Sequence, residues 1–169
     1  MLRIIGIDPG SRATGYGVIE SDGVKSFYLA HGVLRLEDDL LPPRLGKIFS
    51  GITAVIDEYR PEVMAIEQVF VSKNPSSALK LGQARGAAIC AAVNLGLSVA
   101  EYSPRGIKQA IVGTGRAEKT QVQHMVQMLL GLSKRPQADA ADALAVGLCH
   151  AHTSRISLLR STGVVGGRR

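Results

Sequence analysis

Within residues 1–8 the chain reads LRIIGID and turns at once into Pro9-Gly10. A continuous apolar run closed by an acid and a turn marks a buried strand followed by a turn. Working outward, residues 14–20 and 24–36 read as two further strands, joined by a hairpin turn at Ser21-Asp22-Gly23. Leu45, Ile48, Phe49, Ile52, Val55, Ile56 and Tyr59 recur at helical spacing between Pro42-Pro43 and Pro61, which predicts an amphipathic helix. Residues 62–67, EVMAIE, form a short buried strand that ends on Glu67. Ser76 is the expected N-cap of an alanine-rich helix running to about Gly96, and residues 97–102 form a fifth strand. Ser103-Pro104 opens a short helix that breaks at Gly113-Thr114-Gly115. Residues 118–130 form another helix, and Pro136 starts a last one through about His152. Three leading strands followed by alternating helix and strand give an α/β domain with a mixed five-stranded sheet flanked by helices. The expected domain spans residues 1–152, and residues 153–169, rich in Gly, Ser and Arg, are the expected flexible basic tail.

A length of 169 residues suits one domain, and 46% hydrophobic residues suffice for a core. No window approaches the ~18 apolar residues of a membrane span, and the N-terminus turns acidic too soon for a signal peptide. Cys90 and Cys149 make no CxxC, which fits a reducing cytosol, so a cytoplasmic protein with no membrane partner is expected. With 3 Phe, 4 Tyr and no Trp, the stacking platform of an RNA-binding sheet is not expected. The net charge of +6 is unevenly spread: residues 1–70 are net −3, residues 71–135 net +7, residues 136–150 net −2 and the tail +4. A basic middle flanked by carboxylates suits a polyanion held over an acidic metal site, or else an ordinary solvated surface.

Three distant places put acids where a sheet would collect them. Asp8 ends the first strand, Glu67 ends the fourth, and Asp139 and Asp142 share one face at the start of the last helix. Taken singly, each has a plain explanation: a turn-initiating Asp, a solvated strand end, and acids that suit a helix dipole. Taken together, all four sit in apolar or alanine-rich segments (RIIGID, VMAIE, PQADAADALAVGL), where solvation is a poor explanation. Like charges so close repel unless a cation lies between them, so neutralising either acid of the last pair is expected to relieve repulsion. An all-oxygen set selects Mg²⁺, with Mn²⁺ as substitute, and four negative charges balance two divalent ions. Such a pair activates water and stabilises the leaving oxygen in phosphodiester hydrolysis.

GIDPGSRATGYGVI, AIEQVFVSKNPSSALKLGQARG, GRAEKTQVQHMV and PQADAADALAVGLCH strongly resemble the RuvC Holliday-junction resolvases of bacteria, over about residues 2–152. The resemblance implies an RNase H-like fold and a metal-dependent homodimer that cuts two opposing strands of a four-way DNA junction in recombination and repair. It also implies contact with the RuvA and RuvB branch-migration proteins. Residue by residue, it assigns the catalytic acids to Asp8, Glu67, Asp139 and Asp142, a DNA-contacting aromatic to Phe70, and active-site lysines to Lys108 and Lys119.

Lys73, Lys80 and Arg85, from the basic middle, are further candidate DNA contacts. Phe70 either stacks on a base at the branch point or folds back on the sheet. Small residues of the alanine-rich helix (Ala84, Gly86, Ala87, Ala88, Ala91, Ala92) suit a close helix contact, either within the domain or across a dimer axis. Cys149-His150-Ala151-His152 reads as a fraying helix end rather than a metal tract. Two other functions stay open. One is a catalytically silent junction binder, against which the intact acid set speaks. The other is an actin- or sugar-kinase-like phosphotransferase, suggested by GIDPGS, which needs a second domain.

Overall fold

The structure, a computed structural model, describes residues 1–37, 40–70 and 74–162, the stretch 155–162 as backbone only. Lys73 and residues 163–169 of the expected tail lie outside the described residues. The elements run β1 (Leu2–Asp8), β2 (Ala13–Ser21), β3 (Ser26–Arg35), α1 (Leu41–Tyr59), β4 (Val63–Glu67), α2 (Pro75–Asn94), β5 (Ser98–Tyr102), α3 (Pro104–Val112), α4 (Lys119–Leu129) and α5 (Ala138–Thr162). They build the expected five-stranded sheet, in the order β3-β2-β1-β4-β5. The first three strands are antiparallel, and β4 and β5 run parallel to β1.

Both faces are covered, which is why β1 reads as an unbroken apolar run. Ile5, Ile7, Val18, Met64 and Ile66 pack with α1 and α2, while Ile4, Ile19, Val63 and Ala65 pack with α3, α4 and α5. Ala84, Ala88, Ala91 and Ala92 are buried in the first of these layers, so those small residues of α2 serve a contact inside the domain. Leu79 and Val93 stay exposed on its outer side.

The packing of α5 on β1 and β2 sets where its first turn lies. A Cβ on Gly6 would lie 2.1 Å from the carbonyl oxygen of Ala143, and one on Gly15 would lie 2.0 Å from that of Asp139. Only glycine lets α5 rest directly on the backbone of β1 and β2. Gly15 is also the cross-strand partner of Asp8, so this contact lays the first turn of α5 over the end of β1.

Two local expectations are corrected. The N-cap of α2 is Asn74, whose side-chain oxygen accepts from the backbone N–H groups of Ser76 (3.1 Å) and Ser77 (3.3 Å). Pro75 takes the first helical position, where its missing N–H costs nothing, and that places Ser76 inside the helix. The last helix continues past His152 to Thr162, because residues 153–162 contain neither Gly nor Pro and the first stop signal is Gly163. Among the described residues, no helix is long and apolar enough to cross a membrane.

Candidate active site

The register of β1 on β4 pairs Ile7 with Ile66, so Asp8 and Glu67 finish adjacent parallel strands side by side. Each lies two residues beyond a residue of the α5-facing layer, Gly6 or Ala65, and so shares its face, which turns both carboxylates toward that helix. Asp139 and Asp142 come down from the first turns of α5, half-buried. The sheet ends and this helix thus bring all four sequence-identified acids to the same end of the sheet, near enough for the other three to act on Asp8.

Their electrostatics follow from that crowding. Burial, and then the charges of Glu67, Asp142 and Asp139, push the Asp8 carboxyl up to about 8, against a smaller opposing pull from Lys119. Burial also raises Glu67, opposed by a hydrogen bond that it accepts from the Asp8 carboxyl. Asp142 raises Glu67 further, while Lys119 and Lys108 lower it. Without a cation, the pair therefore holds a proton near neutral pH.

Lys119 is the first residue of α4, whose start is fixed by the Glu118 backbone N–H donating to Gln121 Oε1 at 2.8 Å. Its Nζ lies 2.5 Å from Asp142 Oδ2, and this hydrogen bond holds the ammonium above its usual range. Lys108 projects from α3 into the same place. Glu67, Asp142, Lys108 and Lys119 line a cavity of about 160 Å³ whose apolar wall includes Ile107 and Val122.

Of the other candidates, Phe70 is 60% exposed three residues beyond Glu67, so its ring does not fold back on the sheet. Arg85, a candidate DNA contact, is engaged inside the protein. Its Nε donates to the Glu67 carbonyl oxygen at 3.2 Å, and its Nη2 lies 2.5 Å from Glu101 Oε2. Lys80 lies elsewhere, lining a separate concavity with Arg12, Arg35 and Arg44. The Cys149–His152 stretch is no fraying end. Cys149 is in the core, the Tyr102 hydroxyl and His150 Nδ1 are hydrogen-bonded at 2.8 Å, and His152 Nδ1 lies 3.3 Å from the Ala110 carbonyl oxygen. Sequence reasoning missed the Arg85–Glu101 support and the Lys119–Asp142 pair, since neither follows from spacing.

The donor set fits hard divalent cations: it is all carboxylate, half-buried, and so short of positive charge that Asp8 keeps its proton. Among the described residues, no three acidic, histidine or cysteine side chains close on a single point. A proton between Asp8 and Glu67 and the ammonium on Asp142 supply the local countercharge instead.

Residues 4–150 match the family described as crossover junction endodeoxyribonuclease RuvC. The crossover junction endodeoxyribonuclease RuvC of Pseudoalteromonas atlantica is 60% identical over 98% of this chain and 95% of its own length. That of Marinobacter nauticus is 61% identical over 95% of this chain and 91% of its own length. Among solved structures, Thermus thermophilus RuvC in complex with a Holliday junction substrate is 35% identical and superposes with a TM-score of 0.87, covering 93% of this chain and 97% of that one.

Proposed function

The chain belongs to the RuvC family of crossover junction endodeoxyribonucleases, and from that premise we propose how its own residues cut four-way DNA junctions. The observation that carries the proposal is the carboxylate cluster, in which burial and like charge leave Asp8 protonated near neutrality until a cation replaces the proton. Asp8, Glu67, Asp139 and Asp142 would hold Mg²⁺, or Mn²⁺ in its place, two ions per site. Ions held there would supply an activated water and charge stabilisation for the leaving oxygen of the phosphodiester. Lys119 and Lys108, which line the cavity with Glu67, receive the non-bridging oxygens of the scissile phosphate. Arg85 fixes the backbone of Glu67 and does not touch DNA. The exposed ring of Phe70 stacks on a base at the branch point.

One site per chain and a two-fold junction suit a homodimer making two symmetric nicks, with the outer side of α2 as its contact. The protein works in the cytoplasm, in recombination and repair, alongside the RuvA and RuvB branch-migration proteins. Residues 1–152 form the nuclease domain.

Incubation with a four-way junction and a matched linear duplex, with Mg²⁺ or with EDTA, tests this. Paired nicks on the junction in Mg²⁺, none in EDTA and little cutting of duplex are expected. Junction binding without cutting in Mg²⁺ identifies a silent binder instead, and equal cutting of duplex removes the junction selectivity.

A further inference from the structure

The edge of the sheet at which β1 ends also carries a second concavity, formed by residues that the segment charges concealed. Arg12 precedes β2, Arg35 ends β3 as the cross-strand partner of Ala13, Arg44 lies in the first turns of α1, and Lys80 lies on α2. With Glu37, they line a cavity of about 530 Å³. Among the described residues, four cations face one carboxylate, and none of the four makes an ion pair with any of them. The Nε of Arg44 is shielded from water and has no hydrogen-bond partner among the described residues. A buried guanidinium N–H without an acceptor is costly to keep, and four clustered cations repel. Both costs disappear when an anion with several acceptor oxygens enters.

Position selects the anion. Arg12 is four residues beyond Asp8, and β1, β2 and β3 all bring their Asp8-side ends to this edge of the sheet. A strand whose scissile phosphate lies at the carboxylates has its neighbouring phosphodiesters within reach of this edge. We infer that Arg12, Arg35, Arg44 and Lys80 form a second phosphate-binding pocket, which seats the backbone of a junction arm outside the catalytic cleft. This rests on reading the chain as a junction nuclease. The pocket positions DNA without reading sequence and takes no part in the chemistry.

The test uses Arg44→Gln and Lys80→Gln, with Lys25→Gln in the β2–β3 turn at the far end of the sheet as control. Lys80 is exposed, so its variant carries little folding risk. Binding of a four-way junction and of a linear duplex is titrated in EDTA across salt concentrations. Cleavage is measured separately in Mg²⁺ under single-turnover conditions with saturating protein. Each pocket variant is expected to bind both DNAs about tenfold more weakly and to lower the salt slope by about 1, with the single-turnover rate unchanged. Lys25→Gln should match the wild type. Unchanged affinity and slope in both pocket variants overturn the inference, as does a lost rate at unchanged affinity. Inorganic phosphate that raises the wild-type melting temperature but not that of Arg44→Gln, with DNA binding equal in both, assigns the pocket to a free anion and also overturns it. Failure of wild-type protein to cut junctions in Mg²⁺ is read in the other arm and tells against the nuclease reading alone.

Discussion

Replacing Asp8 by Asn isolates the proton that the carboxylate cluster holds. In the unfolded chain this carboxyl titrates near 3.8, and in the folded, metal-free protein at about 8. A raised acid binds its proton more tightly when folded, so its contribution to stability is complete below the unfolded value and is lost as pH rises toward the folded one. From pH 4 to pH 7 that is about three units, or at most about 4 kcal/mol at 1.36 kcal/mol per unit. Asn has the same shape and no proton to take up. In EDTA, the stability of the wild type relative to Asp8→Asn should therefore fall by up to that amount between pH 4 and pH 7. Millimolar Mg²⁺ should flatten the wild-type curve, because the cation replaces the proton, and should leave the variant unchanged. Urea denaturation at a series of pH values gives both curves. Calorimetry in buffers of different ionisation enthalpy counts the proton released on Mg²⁺ binding at pH 7. Parallel curves for the two proteins, or Mg²⁺ binding without proton release, would refute the account of the cluster.

Arg85→Gln loses the hold on the Glu67 backbone and on Glu101. It should cut single-turnover cleavage about tenfold while leaving junction affinity in EDTA unchanged, whereas a direct phosphate contact would shift the affinity and its salt slope. The two acids of α5 should respond differently in EDTA. Asp139→Asn removes one of the charges acting on Asp8 and should raise the melting temperature, while Asp142→Asn also strands the Lys119 ammonium and should gain nothing. A half-exposed pair of this kind is worth up to about 1 kcal/mol, which corresponds to a gap of about 2–4 °C between the variants. Identical melting of the two would contradict the ion pair.

The acids were legible because each breaks a locally apolar pattern, and a strand end or first helical turn is a local property. Convergence is different. That Asp8 meets Asp139 is decided by Gly15, which is at once the cross-strand partner of the first and the seat of the second. In the sequence that glycine looks like any other strand glycine. The charges misled for a related reason. Residues 1–70 are net −3, yet Arg12, Arg35 and Arg44 come from them and gather in one pocket, because a sum over a segment averages residues that the fold separates. Arg85 shows the converse: it belongs to the basic middle, yet it turns inward onto Glu101 and onto the strand that ends in Glu67. Asp142 combines both effects. The spacing of Asp139 and Asp142 implies a repelling pair in which either acid could be neutralised to the same benefit. Lys119 arrives from a different helix and forms its ion pair with Asp142, so two acids that look equivalent along α5 differ in what their loss exposes. Spacing fixes which side chains share a face, and the partner opposite that face decides what each charge does.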